Sequence, residues 1–312
     1  MDNLPPRFDG LFIQREFSED AWPIPAGNVS TTRKHDQGEN MNGQEIRTRL
    51  RAGKRVYATC VVASSPLWPK TLAAAGAEFV FIDSEHTPVD RESLSWMCRG
   101  YAAVGLPPVV RVPSPDPYEA AKVLDGGASG FIAPYLETAE QARRITEVAR
   151  YRPLKGDRVE RAALDESSLE PELRDYLAAR NAHTILIANI ESVPAINNLS
   201  DILSAGDLDS VLIGPHDLSC SLGIPEQYDH PRFNEAVLEI FKVARDHNVG
   251  AGIHFWLGIE QEIQWARGGG NLIMHSSDLS LVGQNLTRDL AQMRAELGDA
   301  VKVDGEATAE II

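Results

Sequence analysis

The stretch ILIANIESVPAINNLSDILSAGDLDSVLIGPHDLS, residues 185–219, contains two short apolar runs with a segment of helical spacing between them. The two runs and the segment are Ile185–Ile190, Ser210–Ile213 and Val193–Ala205. This order predicts a strand, a crossover helix and a second strand that lies parallel to the first. Glu191 and Asp217 follow the two strands, so both carboxylates are expected on one face. Such a pair can bind Mg²⁺ or Mn²⁺ through hard oxygen ligands, or it can be a solvated acidic rim.

The same alternation of strand and helix extends along most of the chain. Eight strand-like runs are separated by helical segments: Val56–Ala63, Phe79–Asp83, Pro108–Val112, Gly130–Pro134, Ile185–Ile190, Ser210–Ile213, Gly250–Phe255 and Asn271–His275. Helix starts are indicated by Asp116-Pro117, by the capping-box pattern Thr138–Gln141 and by Pro231. Eight such units in about 250 residues predict a (β/α)8 TIM barrel. The competing doubly wound sheet is disfavoured because no Gly-X-Gly-X-X-Gly follows a strand.

Residues 44–298 are predicted to form the barrel, with an N-terminal extension at 1–43 and a C-terminal tail at 299–312. The extension is rich in proline and mixed charge without a sustained period, which is typical of a partly disordered segment. A charged insertion at 154–182 separates the fourth and fifth strands, and Glu170–Arg180 within it is predicted to be helical. We expect this insertion to lie over the barrel mouth or to reach another subunit.

The composition is that of an acidic globular protein. The chain has 312 residues, of which 43% are hydrophobic, and a formal net charge of −15. This charge argues against nucleic acid or an anionic membrane as a partner. No apolar run approaches the ~20 residues that cross a bilayer, and no secretory signal is recognised. Three scattered cysteines without metal-site spacing, Cys60, Cys98 and Cys220, predict reduced thiols in a cytoplasmic protein.

Residues whose side chains could take part in catalysis or binding follow the predicted strands, at the face where barrel active sites lie. They are Asp83, Ser84, Glu85, His86, Arg111, Asn189, Glu191, Gly214, Pro215, His216, Asp217, His254, His275 and Asp278. One arginine among carboxylates and histidines predicts a metal-assisted site for an acidic substrate. None of these strand ends carries a lysine, which argues against a Schiff-base aldolase.

Several of these residues have a plainer interpretation. Arg111 either pairs with Asp83 or Glu85, or it binds a substrate carboxylate or a developing enolate through two N–H groups. His86 is either an ordinary loop histidine or a general base. Cys220 has no base beside it in the sequence, so it is not predicted to be a nucleophile.

Several motifs, taken together, resemble the HpcH/HpaI family of metal-dependent (class II) hydroxy-ketoacid aldolases. They are FVFIDSEHTPVD (79–90), VVRVP (109–113), PYLETAEQARRITEVARYRP (134–153), IANIESVPAINNL (187–199) and IGPHDLSCSLG (213–223). The resemblance implies a (β/α)8 barrel assembled as a homo-oligomer, either a hexamer or a trimer of dimers. It implies a small 2-keto acid and an aldehyde as substrates.

The resemblance also implies residue roles. Glu191 and Asp217 would bind the divalent metal, which is Mg²⁺, Mn²⁺ or Co²⁺. His86 would take a proton from the methyl carbon of a metal-bound pyruvate-type keto acid, with Asp83 beside it. Arg111 would steady the resulting enolate. The implied substrate-binding residues are Arg111, Asn189, Gly214, Pro215, His216 and Asp217.

An aspartate at the position of Asp125 raises the basicity of the histidine in that family. Here Asp125 is predicted at the far end of a helix, away from His86. We therefore expect it either to serve a neighbouring subunit or to lie outside a helix after all.

This chain departs from the family pattern in the loop Gly156–Val159, where Gly-X-Arg-Gly is common, and at three single positions. Asn189 stands where a glutamine is common, His216 where a small residue is usual, and His254 where strand 7 tends to be apolar. The predicted function is aldol cleavage or formation of 4-hydroxy-2-keto acids. The alternatives are oxaloacetate decarboxylation, enolate addition like that of macrophomate synthase, and a non-catalytic barrel that binds a keto acid.

Overall fold

A computed structural model of the chain describes residues 41–299, and these form a closed barrel of eight parallel strands in sequential order. The strands are β1 (Val56–Val61), β2 (Phe79–Asp83), β3 (Pro108–Arg111), β4 (Gly130–Ala133), β5 (Ile185–Asn189), β6 (Ser210–Ile213), β7 (Gly250–Phe255) and β8 (Leu272–Ser277). All eight strands coincide with predicted runs, and the predicted (β/α)8 fold is confirmed. The eighth strand extends two residues beyond its predicted end at His275.

Thirteen α-helices are found within residues 41–299. The first seven are α1 (Gly43–Arg51), α2 (Trp68–Ala74), α3 (Arg91–Ala103), α4 (Pro117–Gly126), α5 (Ala139–Tyr151), α6 (Asp157–Leu164) and α7 (Pro171–Asn181). The others are α8 (Val193–Asn197), α9 (Leu199–Ala205), α10 (Pro215–Ser221), α11 (Pro231–Asp246), α12 (Ile259–Arg267) and α13 (Asp278–Leu297). None of them combines the length and the apolar character that a bilayer crossing requires.

Local signals in the sequence explain where several helices begin. The Asp116 side chain accepts a hydrogen bond from the Tyr118 N–H at the start of α4. Thr138 and Gln141 form the predicted capping box of α5. The helix predicted at 193–205 is instead two short helices, α8 and α9, because the chain leaves helical geometry at Asn198.

Apolar side chains fill two concentric spaces. The larger cluster lies between the strands and the surrounding helices. The smaller cluster fills the barrel interior, and α1 closes its lower end by inserting Ile46 and Leu50. The Asn271 side-chain amide donates to the Leu50 carbonyl oxygen at 2.8 Å, which ties α1 to the start of β8. The open end of the barrel is therefore the one at the carboxyl ends of the strands.

Inward-facing side chains of alternate strands lie in layers, as the stagger of a TIM barrel requires. The strand registers place the inward side chains of β1, β3, β5 and β7 at one height near the mouth: Cys60, Arg111, Asn189 and His254. The layer directly beneath comes from the other four strands and is apolar: Phe81, Ile132, Leu212 and Met274. The polar layer is therefore the floor of the barrel mouth.

The charged insertion folds into α6, a 3₁₀ turn at Glu166–Ser168 and α7. Its apolar residues Ala162, Leu169 and Leu177 pack with Tyr151 and Leu154 at the end of α5. That end of α5 lies away from the mouth, so the expectation that the insertion covers the mouth is wrong. The helix predicted within the insertion is confirmed as α7. The predicted contact of this insertion with another subunit stays a prediction.

The predicted N-terminal extension lies almost wholly outside the described residues, and so does the tail at 300–312. The limits of both segments stay predictions. The described part begins at Met41, and the Asn42 side chain accepts from the Glu45 N–H to cap α1.

Candidate functional site

Asp83 and Arg111 form a buried ion pair at the barrel mouth. They end the adjacent strands β2 and β3 and are paired in register. Arg111 donates from Nε to Asp83 Oδ1 at 2.9 Å and from Nη2 to Oδ2 at 2.8 Å. Burial by itself would raise the pKa of Asp83, but the bonds from Arg111 outweigh it and lower the pKa. Of the two interpretations of Arg111, the pairing is observed, and two N–H groups on Nη1 remain available to a substrate.

Glu85 and His86 continue this cluster beyond the end of β2. Glu85 Oε2 lies 3.1 Å from Arg111 Nε, and the Glu85 N–H donates to Asp83 Oδ1 at 3.1 Å. His86 Nε2 lies 3.6 Å from Glu85 Oε1, and the histidine side chain is partly exposed to solvent. The sequence indicated both residues, and the predicted pairing of Arg111 with Asp83 or Glu85 is observed with both carboxylates.

Glu191 is a second buried carboxylate of the site. Its side chain is buried, accepting from Asn189 Nδ2 at 3.0 Å and from the Tyr135 N–H at 3.0 Å. Burial raises the pKa of Glu191 to about 7, and the negative charge of Asp217 acts in the same direction. A nearby cation would reverse this effect, because it favours the charged form of the carboxylate.

Gly214 shows how closely Glu191 and Asp217 approach each other. A Cβ atom at Gly214 would lie 2.6 Å from Glu191 Oε2 and 3.4 Å from Asp217 Oδ2. The glycine therefore leaves open the space that both carboxylates border. No group of three or more histidine, cysteine or acidic side chains in residues 41–299 is placed so that it could hold a metal ion. Two carboxylates suit a Mg²⁺-type ion, which usually keeps waters and takes further oxygens from a substrate.

Tyr135 is a site residue that sequence reasoning missed. It follows β4 with φ 55°, a left-handed conformation that is uncommon for a residue other than glycine. This conformation points its N–H at Glu191, while its side chain contacts the carboxylate of Glu85, which raises the pKa of Tyr135. Tyr135 belongs to the motif at 134–153, but that motif assigned it no role, and only the backbone conformation identifies it as a site residue.

Some predicted residues are engaged elsewhere. Asp125 lies in the last turn of α4, 77% exposed, with its carboxylate 3.4 Å from Arg152 Nη1. Within one chain it is apart from His86, as its predicted helical position requires. The Asp278 carboxylate accepts from the N–H groups of Val62 and Ala63, each at 3.1 Å, and thereby fixes the loop after β1.

His275 is also absent from the cluster at the mouth. Its Nδ1 lies 2.9 Å from Glu262 Oε1 on α12, outside the barrel. The Glu262 carboxylate favours the protonated ring and raises the pKa of His275. The pair holds α12 against β8 and takes no part in the site.

The first turns of α10 carry Pro215, His216 and Asp217. Pro215 is buried, whereas the side chains of His216 and Asp217 are exposed. His216 Nε2 lies 3.9 Å from Cys220 Sγ one turn further on, and His216 Nδ1 lies 3.7 Å from Glu226 Oε1. The expectation that no base lies beside Cys220 is therefore wrong, because residues four apart share a helix face.

The arrangement as a whole has two sides. One side offers Glu191 and Asp217 as oxygen ligands for a cation. The other side offers Arg111, fixed by Asp83, as a donor to an anionic oxygen, with His86 available to exchange a proton. Such a site can bind a small acid and remove a proton from a carbon beside its carbonyl group.

A profile of the HpcH/HpaI aldolase/citrate lyase family matches residues 59–284. The 2-keto-3-deoxy-L-rhamnonate aldolase of Escherichia coli O9:H4 (strain HS) is 29% identical over 257 residues, covering 80% of this chain and 93% of that protein. The hydroxypyruvate/pyruvate aldolase of Roseovarius nubinhibens is 29% identical over 253 residues, covering 80% and 97%. The crystal structure of an HpcH/HpaI aldolase from Desulfitobacterium hafniense DCB-2 aligns with a TM-score of 0.69 at 25% identity, covering 80% and 96%.

Proposed function

This chain belongs to the HpcH/HpaI aldolase/citrate lyase family and is a carbon–carbon lyase, and from that premise we propose that it makes or cleaves 4-hydroxy-2-keto acids. The bond that forms or breaks joins a small 2-keto acid to an aldehyde. The family match confirms the resemblance that the sequence motifs indicated. The observation that carries the proposal is the convergence of Arg111 with the Glu191 and Asp217 carboxylates at one barrel mouth.

Glu191 and Asp217 would hold the divalent metal, for which Mg²⁺, Mn²⁺ and Co²⁺ are the candidates. A bound metal supplies Lewis acidity, which makes the carbon next to the keto group easier to deprotonate. The open space beside Gly214 and the raised pKa of Glu191 support this placement, because both fit a pair of carboxylates that share a cation.

The other residues of the site act on the keto acid itself. His86, whose Nε2 lies 3.6 Å from Glu85 Oε1, takes the proton from C3. Arg111, fixed by Asp83, donates to the oxygen on which negative charge develops. The remaining substrate contacts come from Asn189 and from the Gly214–Asp217 segment.

We further propose that the protein is a homo-oligomer, a hexamer or a trimer of dimers, in which Asp125 serves the site of a neighbouring subunit. Six apolar side chains along α13 support this, since all are exposed at intervals of three or four residues: Leu279, Val282, Leu286, Leu290, Met293 and Leu297. Such a stripe on a long helix is typical of a contact surface. Light scattering after size exclusion should report the oligomer, and Leu286→Glu with Leu290→Glu should dissociate it.

We place the protein in the cytoplasm, where Cys60, Cys98 and Cys220 would remain the free thiols that they are in the structure. The net charge of −15 supports small molecules, and neither nucleic acid nor membrane, as its partners.

Exchange of C3 protons with D2O, followed by NMR, tests the proposed reaction. The metal-free protein should not catalyse exchange of the C3 protons of pyruvate or of hydroxypyruvate. Addition of Mg²⁺, Mn²⁺ or Co²⁺ should start the exchange. His86→Ala should abolish it, whereas Asp201→Ala on the exposed side of α9 should not change it. Exchange that persists without metal, or in His86→Ala, would contradict the proposal. Pyruvate release from oxaloacetate without aldehyde would favour the decarboxylase alternative.

A further inference from the structure

The floor of the barrel mouth holds a histidine that the reaction described above does not use. His254 lies in the polar layer with Cys60, Arg111 and Asn189, on the strand opposite that of Arg111. Its ring contacts the ring of Phe81 edge-on, with centroids 5.5 Å apart. Arg111 Cζ lies 5.3 Å from the centroid of the same Phe81 ring. Phe81 therefore supports both His254 and Arg111 from beneath.

A hydrogen bond fixes the orientation and the tautomer of His254. Nε2 lies 3.0 Å from the Ser276 carbonyl oxygen, which can only accept, so Nε2 carries the proton. Burial lowers the pKa of His254 to about 4, and the positive charge of Arg111 acts in the same direction. The ring is thus neutral at physiological pH. Its Nδ1 is an acceptor, and among residues 41–299 it has no hydrogen-bond donor.

Asn189, the neighbour of His254 in the layer, offers a second acceptor. Its Nδ2 group is committed to Glu191 Oε2 at 3.0 Å. Its Oδ1 atom is buried and has no partner within the part of the chain that the structure describes. Among the described residues, His254 Nδ1 and Asn189 Oδ1 are therefore two acceptors without donors in the layer that forms the floor of the mouth. A buried acceptor in a native protein is nearly always satisfied, so Asn189 Oδ1 indicates a donor that arrives with a ligand. His254, which is only partly buried, can accept from the same ligand.

A 2-keto acid bound between Arg111 and the two metal-binding carboxylates lies directly on this layer, because Arg111 and Asn189 belong to both. We propose that His254 Nδ1 and Asn189 Oδ1 accept a hydrogen bond from a hydroxyl group on C3 of that acid. The chain accordingly selects a 3-hydroxylated 2-keto acid over pyruvate. The methyl group of pyruvate has no donor and leaves both acceptors unpaired. This inference rests on the proposed function for the position of the keto acid.

Equilibrium binding tests the inference without requiring turnover. Calorimetric titration of the Mg²⁺-loaded protein, with no aldehyde present, should give a Kd for hydroxypyruvate about tenfold below that for pyruvate, as expected for one added hydrogen bond. His254→Leu removes the acceptor while keeping an apolar side chain, and should abolish most of this difference. Met274→Leu, on the register partner of His254 in the apolar layer, is the matched control and should preserve it.

The possible results separate this inference from the proposed reaction. Equal or tighter binding of pyruvate by the native protein overturns the inference, as does a preference that survives in His254→Leu. His254→Phe provides a second variant if the leucine variant does not fold. Loss of proton exchange with every keto acid would overturn the proposed reaction alone, because the binding ratio is measured independently of it.

Discussion

Asp83 and Arg111 are register partners on β2 and β3, and their side chains form a two-point ion pair at 2.9 and 2.8 Å. The pair is buried at the mouth of the barrel, with Phe81 beneath the guanidinium group. Because both carboxylate oxygens of Asp83 accept from Arg111, the plane of the guanidinium group is fixed. The free N–H groups on Nη1 therefore point in one direction. This rigidity is what a group that stabilises developing charge requires.

Removing Asp83 should therefore harm both stability and activity. Asp83→Ala leaves the Arg111 charge buried with Glu85 as its remaining partner, so we expect a loss of about 3 kcal/mol in the free energy of unfolding. Urea denaturation followed by circular dichroism measures the loss. Asp125→Ala, which breaks an exposed pair with Arg152, should leave the midpoint unchanged. Equal midpoints for both variants would refute the structural role given to the Asp83 pair.

The raised pKa of Glu191 predicts that the stability of the metal-free protein depends on pH. Its pKa is about 7 in the folded state against an ordinary value of 4.5, so the folded state binds more protons between these values. The contribution of Glu191 to stability is then full below pH 4.5 and falls by roughly 3 kcal/mol as the pH rises to 7. Chemical denaturation at several pH values in chelator should show this fall.

Two comparisons isolate the contribution of Glu191. Glu191→Gln cannot titrate, so its stability profile should lose the fall between pH 4.5 and 7. Added Mg²⁺ should stabilise the native protein at pH 7 and leave Glu191→Gln unaffected, because binding to the folded state alone raises its stability. An identical pH profile in native and variant proteins would show that Glu191 titrates normally.

Gly214→Ala should weaken metal binding. The new Cβ would lie 2.6 Å from Glu191 Oε2, so the carboxylate must move out of the space it shares with Asp217. We expect the Kd for Mn²⁺, measured by electron paramagnetic resonance, to rise about tenfold or more, which is the range seen when supporting groups of metal sites are altered.

Gly100→Ala is the control for this experiment. A Cβ at Gly100 in α3 would meet only Pro69 at 3.7 Å, an ordinary contact. The substitution should leave the Kd for Mn²⁺ unchanged and should raise helix stability by about 0.5–1 kcal/mol. If both alanine variants bound Mn²⁺ like the native protein, the metal site could not lie beside Gly214.

Asp209 should be essential for the closed lower end of the barrel. Its buried carboxylate accepts from Arg47 at 3.0 Å, Arg51 at 2.9 Å and Arg150 at 2.8 Å, and from the Leu186 N–H at 2.8 Å. Asp209→Asn removes the charge that these arginines share, and we expect a loss of about 3 kcal/mol in unfolding free energy.

Calorimetric melting measures the effect of Asp209→Asn on stability. Mn²⁺ affinity, measured on the folded variant at low temperature, should stay at the native value, because the network lies at the opposite end of the barrel. Asp201→Asn, on an exposed carboxylate of α9, should melt like the native protein. A lowered Mn²⁺ affinity in Asp209→Asn would mean that the two ends of the barrel are coupled.

Much of the architecture was readable because it depends on local patterns. Short apolar runs such as Ser210–Ile213 predict strands, and Asp116 and Thr138 indicate where helices begin. The regular alternation predicts the barrel, and the barrel places residues that end strands on one face. The positions of Glu191 and Asp217 after two neighbouring strands therefore place both carboxylates in one predicted site.

The sequence by itself determined the order of elements, the active face of the barrel and the residue types available there. Only the tertiary structure decided which atoms meet. The Tyr135 N–H donates to Glu191 because of a backbone conformation that the sequence pattern does not predict. His254 is oriented by a carbonyl group of the adjacent strand. The insertion packs on α5 because of three apolar side chains within a charged segment. Such contacts depend on the register of strands distant in the chain, and local propensity carries no information about that register.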